Sequence, residues 1–185
     1  MPTSAGSVSE LGLLQWWQVH TWLQDFQLAG GMGLKGTLTQ QQLQQCKAAR
    51  DQQLEAILAR PASSFQRSVY AAVQKLPVSW EQRPRMEQLS VGRDGVTPDG
   101  ALLLDMAGKT ADSVLVAVEA DGPTHFRQPD RGLTGPTQYR NRALAARGYK
   151  VVSVPFFEWQ GLKGAAKRQQ YQLRKFRKAG VFQTK

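Results

Sequence analysis

The sequence predicts an α/β domain with a helical N-terminal extension. Three observations point to it. Apolar residues recur at three-to-four spacing through the first 76 residues, as in amphipathic helices. After Pro77 that pattern gives way to short apolar and β-branched runs. One such run, at 114–119, is joined to another, at 149–154, by a helix-like segment, and a helix between two neighbouring strands implies a parallel crossover. The boundary is placed at Pro77, with a helical extension over residues 1–77 and an α/β domain over 78–180.

The first helix is expected over 9–28, with Leu13, Trp16, Trp17, His20 and Leu23 at helical spacing and Ser9 as N-cap. Trp16, Trp17 and Trp22 need a surface to pack on, which the next helices supply; His20 is expected at the helix surface. Gly30-Gly31-Met32-Gly33 breaks the chain. A second helix over 39–59 carries Leu43, Cys46, Leu54, Ile57 and Leu58, with Cys46 as core packing. Pro61 ends it. Ser63 or Ser64 caps a third helix bearing Phe65, Val69, Val73 and Leu76 on one face.

Leu89-Ser90-Val91 is the next candidate strand, followed by a loop over 92–100. Residues 102–106 read as a buried strand with Asp105 inside it, 108–113 as a turn, and 114–119 as the second strand of a hairpin. A long loop spans 122–135. Pro136 opens a helix to about Arg147, with Tyr139, Ala143 and Leu144 on one face and Gly148 just past its end. Residues 149–154 form a strand stopped by Pro155. A last helix covers 161–179, with Leu162, Ala166, Leu173 and Phe176 on its buried side.

Charge is unevenly distributed. The 185 residues carry a net +10, yet residues 1–120 hold 10 basic and 11 acidic side chains, whereas residues 121–185 hold 14 and 3. A surplus confined to one third of the chain suits a polyanion, because each phosphate contact releases condensed counterions. A solvated helix face is the competing reading. The single cysteine excludes a disulfide framework and a Cys-rich zinc site. No apolar run approaches the roughly 18 residues of a membrane span, so no membrane insertion is expected. No targeting peptide is visible, the first Lys or Arg being Lys35.

The densest chemistry is Val118-Glu119-Ala120-Asp121-Gly122-Pro123-Thr124-His125-Phe126. Glu119 and Asp121 are two apart on a strand and share a side; Asp105 sits on the neighbouring one. The three carboxylates are candidate ligands for a hard divalent cation, Mg or Mn, and His125 is a candidate general base or hydrogen-bond partner. Local backbone anchoring by Asp121 is the alternative.

This arrangement resembles the PD-(D/E)XK nuclease core, where an acidic residue on one strand is followed by (D/E)-x-K on the next. Here the lysine position is Asp121, in the string Glu119-Ala120-Asp121. A variant resembling the very-short-patch repair endonucleases replaces the lysine and uses a nearby histidine, a place His125 would take. A closer resemblance covers about residues 100–178. The string from Val118 to Phe126, a helix with Arg142 and Leu144, Gly148-Tyr149-Lys150-Val151-Val152, and Phe156-Phe157-Glu158-Trp159 look like a RAP domain, an RNA-binding domain abundant in apicomplexans. Its motif positions are Glu119, Asp121, Gly122, Pro123, His125, Phe126 and Trp159.

The resemblance implies a restriction-endonuclease-like fold and RNA as partner. It further implies a role in organellar RNA processing, stability or translation, in a mitochondrion or chloroplast. RAP domains close larger organellar RNA-binding proteins such as the FAST kinase-like and octotricopeptide-repeat proteins, and residues 9–76 resemble the end of such a helical array. The candidate RNA contacts are Arg127, Arg140, Arg142, Lys163, Lys167, Arg168, Arg174, Lys175 and Lys178, with Lys163, Lys167, Arg174 and Lys178 as one helical stripe. Tyr171 and Trp159 are candidates for stacking on unpaired bases, against packing of Trp159 beneath the sheet end. Two alternatives stand beside RNA binding. One is a metal-dependent nuclease using Asp105, Glu119, Asp121 and His125. The other is a structural component docking on a ribosome or other ribonucleoprotein. Only the nuclease needs a cofactor.

Overall fold

The computed structural model describes residues 8–86 and 96–182 and divides into two compact units, Met1–Arg60 and Pro61–Lys185. The first unit pairs α1 (Glu10–Asp25) with α2 (Gln40–Leu58). Ser9 caps α1 by accepting from the Gly12 N–H, and Thr39 and Gln42 form a reciprocal capping box on α2. Cys46 is fully buried, as its spacing predicts. His20 is not at the surface. It is buried, and its Nδ1 accepts the Leu34 N–H at 2.8 Å. Burial pushes its pKa down, and the Lys35 charge adds to that. The connection can approach so closely because residue 33 is glycine: φ is +61° there, and a Cβ would stand 2.4 Å from the imidazole Nδ1.

The second unit begins with α3 (Ser64–Val73), capped by Ser63 and Gln66. Among the described residues four strands follow in the spatial order β1 (Trp80–Met86), β2 (Met106–Thr110), β3 (Leu115–Asp121) and β4 (Lys150–Pro155). β1–β2 and β2–β3 are antiparallel; β3–β4 is parallel, with α4 (Gly135–Ala146) as the crossover. The short α5 (Phe156–Gln160) and then α6 (Ala165–Lys178) complete the unit.

Period-two alternation sorts β3 between two layers. Val116, Val118 and Ala120 join Val69, Val73, Val152, Trp159, Tyr171 and Phe176 in the core under α3 and α6. Ala117 faces the other way, into a smaller core with Leu104, Ala143 and Leu144 of α4. Full burial of each large aliphatic side chain contributes roughly 1.5–3 kcal/mol. α3 thus packs in the α/β core, and the two compact units divide after Arg60.

Several boundaries differ from the sequence reading. The strand expected over 102–106 starts at Met106, so Asp105 precedes β2 and Gly108 to Thr110 are strand rather than turn. Leu103 makes only an isolated bridge with Val96. β1 was hidden by its polar composition and by Pro84, which cannot donate to a ladder. Its pairing with β2 is irregular, and the Pro84 ring sits where a Cβ on Gly108 would come within 2.7 Å. The candidate strand Leu89-Ser90-Val91 lies outside the described residues. The last helix splits at Gly161–Gly164, leaving Lys163 and Leu162 off α6; Ala166 is exposed and takes no part in the core. The fold is mixed α/β, as expected, with a four-stranded sheet.

Candidate functional site

Because Ala117 faces α4, so do Glu119 and Asp121, two and four residues on. Both are buried, at 1% and 0% exposure. Arg140 of α4 precedes Ala143 and Leu144 by three and four residues, so it shares the helix face that packs on the sheet. Its guanidinium reaches both carboxylates: Nη2 lies 2.6 Å from Asp121 Oδ1 and Nη1 3.2 Å from Glu119 Oε2. Asn141 Oδ1 accepts a further bond from Nη2 at 3.0 Å.

The other oxygen of Asp121 accepts a short hydrogen bond from the Ser153 hydroxyl on β4. His125, carried back by a 3-10 turn (Pro123–His125), places Nδ1 3.1 Å from Asp121 Oδ1. A carboxylate oxygen accepts, so this nitrogen carries the hydrogen. The Thr137 hydroxyl lies 3.3 Å from the same nitrogen. Burial works to raise the pKa of Asp121, but the His125 hydrogen bond, the Arg140 charge and the Ser153 hydroxyl together hold it below the usual carboxylate range. Burial alone would lower the Arg140 pKa; Glu119 and Asp121 raise it instead.

Asp105 joins from the residue before β2. Its Oδ2 accepts the Ala120 N–H at 2.8 Å, and its Oδ1 accepts from Gln66 Nε2 at 2.8 Å. Burial pushes its pKa up, with the Asp121 charge adding, against these hydrogen bonds and the more distant Arg140. The three carboxylates and His125 therefore gather at the end of β3, as the sequence predicts. The space between Glu119 and Asp121 is filled by a guanidinium. Among the described residues, no group of three or more His, Cys, Asp or Glu side chains could hold a metal ion. The donor set does not fit the cation of a PD-(D/E)XK nuclease, and Arg140 supplies the positive charge in its place.

Arg140 is accordingly no exposed RNA contact. Two further candidates are also tied into the domain. Arg168 donates to Leu162 O and to Ser68 Oγ, with its guanidinium 5.4 Å from the Trp159 ring centre. Lys175 lies 3.0 Å from Glu158 Oε2. Arg127 is exposed but paired with Asp130 at 2.8 Å. Arg142, Lys163, Lys167, Arg174 and Lys178 are exposed, as is Arg177. Lys163 precedes α6, so the four-residue stripe loses its first member.

The aromatic candidates for stacking are internal. Tyr171 is 4% exposed and donates to Glu158 Oε2 at 2.7 Å; burial, reinforced by that carboxylate, pushes its pKa up. Trp159 is buried against Tyr171 and donates from Nε1 to Ser68 Oγ. Phe126 packs edge-on to Phe157, 5.0 Å between ring centres. The motif residues thus hold the end of the sheet together. Sequence reasoning missed Ser153, Gln66 and the inward role of Arg140. Only the last had a signal, its spacing from Ala143 and Leu144.

A family model for the RAP domain matches residues 118–175, spanning the Glu119 to His125 string, α4, β4 and most of α6. A RAP domain-containing protein, chloroplastic, from Oryza sativa subsp. japonica is 38% identical over 68 residues, covering 35% of this chain and 11% of that protein. The chain therefore spans only about a ninth of the length of this relative. Over residues 118–175 the chain thus matches the RAP domain.

Proposed function

We propose that the chain binds RNA, with the exposed basic face of α6 contacting phosphates, and that it acts in organellar RNA processing, stability or translation. The observation that carries this reading is the composition of α6. Its fourteen residues hold Lys167, Arg168, Arg174, Lys175, Arg177 and Lys178 and no acidic residue. Four of these six are exposed. RAP domains are generally RNA-binding, which agrees with the charge. A relative named chloroplastic supports an organellar address. Hydrolysis loses support, because Arg140 stands where the nuclease reading needs a cation.

A docking role on a ribonucleoprotein is favoured by one separate observation: α1 leaves Leu11, Val19 and Trp22 exposed at helical spacing. Gel analysis of end-labelled single-stranded RNA, with EDTA or with Mn2+, separates the readings. RNA binding predicts shifted, intact RNA in both conditions. Shortened RNA that needs Mn2+ and disappears in Asp121→Ala would overturn it in favour of nuclease action. No shift of free RNA, with co-sedimentation on ribosomes, would favour docking.

A further inference from the structure

We propose that the groove between α3 and the carboxyl ends of β3 and β4 receives an unpaired base of single-stranded RNA. This deepens the RNA-binding reading above and rests on it. The groove has a volume of about 380 Å3 and is lined by Phe65, Ser68, Pro123, Phe156, Gln160 and Arg168, among others. That volume falls within the range of small-ligand sites, roughly 300–1,000 Å3.

Position is the first argument. Phe156 directly follows Pro155, the last residue of β4, and Pro123 lies two residues past Asp121, the last residue of its parallel neighbour β3. In α/β sheets ligands bind in the crevice outside the carboxyl ends of parallel strands. The aromatic rings of Phe65 and Phe156 and the Pro123 ring supply flat apolar walls, which suit the π-face of any base.

Unused hydrogen-bonding capacity is the second. Ser68 Oγ accepts from Trp159 Nε1 and from Arg168 Nη1, both at 3.1 Å. Its two lone pairs are thereby used, and its own hydrogen must donate. Among the described residues no acceptor takes that hydrogen. The hydroxyl is a fixed donor on the groove wall, suited to a base carbonyl or ring nitrogen. Gln160 offers both a donor and an acceptor for a base edge.

Charge is the third. Arg168 lines the groove, and exposed Lys167 precedes it on α6. A base in the groove would leave its phosphate beside the basic helix. The walls accept either purine or pyrimidine, so the groove selects unpaired nucleotides rather than a sequence.

The test is fluorescence anisotropy of a labelled, unstructured single-stranded RNA and of the same RNA in a duplex, across a salt series. Ser64→Trp, at the exposed first position of α3, fills the groove without removing a core contact; Phe156→Leu removes one aromatic wall. The full chain is used, and thermal melts identify variants that have lost the fold. The expected result is single-strand preference by the wild type and about tenfold weaker binding by both variants. The dependence of log Kd on log salt falls by no more than about 0.7, the share of the one phosphate that a seated base brings to α6. Should Phe156→Leu not fold, Ser64→Trp alone decides. Wild-type affinity in the folded groove variants, or equal affinity for single strand and duplex, overturns the groove and leaves the basic surface standing. No binding by the wild type overturns the RNA-binding reading and the groove with it.

Discussion

Arg140 and Arg174 are both helical arginines of one domain, and they meet opposite fates. Arg140 lies between two buried carboxylates, bonded to Asp121 and Glu119 and braced by Asn141. Arg174 stands exposed, its guanidinium 5.5 Å from the Tyr171 ring centre. Both count equally in the net charge, but only the second can meet a phosphate. The difference teaches that a basic balance must be divided into charge consumed inside the fold and charge presented by it. Here Arg140 is consumed in a buried network, Lys175 is partly claimed by Glu158, and Lys167, Arg174, Arg177 and Lys178 are presented.

The sharpest way to break the contrast is Arg140→Ala. It leaves Glu119 and Asp121 buried without their shared cation, and the expected loss is about 3–5 kcal/mol by urea unfolding at pH 7. Protonating the two carboxylates relieves the repulsion, so the difference from wild type should shrink as pH falls. A loss no larger than at an exposed arginine would show that the cluster does not hold the fold together.

Asp121→Asn comes next, with an expected loss of about 3 kcal/mol at pH 7. The Asp121 pKa is depressed on folding, so its contribution is fully present above the unfolded-state value, about 3.9, and is lost as pH falls through the lower folded-state value. Wild type and variant should therefore converge in stability below about pH 4. Asp105 works in the opposite sense, because its pKa is raised on folding. Its ionisation opposes folding at neutral pH, and that penalty fades as pH drops through the raised value. A stability difference for Asp121→Asn that is flat down to pH 3 would contradict the assignment.

The smallest effect on folding and the clearest on binding belong to α6. Lys167→Ala with Arg174→Ala should change stability by no more than about 0.5 kcal/mol. It should lower the slope of log Kd against log salt for single-stranded RNA by about 1.4. Lys175→Ala should move that slope by less than about half as much per residue, since Glu158 already neutralises its ammonium. An equal effect per residue would mean that the Glu158 pair does not survive in solution.

Helix existence was legible wherever an apolar stripe met a cap, as in α2 with Thr39 and Gln42 and in α3 with Ser63 and Gln66. The β3–α4–β4 crossover was legible because Gly122, Pro136 and Gly148 punctuate it. β1 was not, since Trp80–Met86 lacks alternation and contains proline. That Glu119 and Asp121 share one side of β3 could be read from strand periodicity. The group at their centre could not, because an arginine on a helix with a weak apolar stripe looks like a surface residue until the sheet is in place. His20 shows the same limit: its burial depends on Leu34 from a glycine-rich connection with no periodic signal.

Pro84 has a consequence for how this sheet meets other chains. Among the described residues β1 pairs only with β2, which leaves it at one edge of the sheet. A strand in that position is ordinarily a template for another chain to extend the ladder. Proline removes one of the donors, two breaks in register disturb the spacing of the rest, and Glu81, Arg83 and Arg85 add exposed charge. Gly108 makes room for the ring that does this. A strand so broken in register and so charged is a poor template for edge-to-edge pairing.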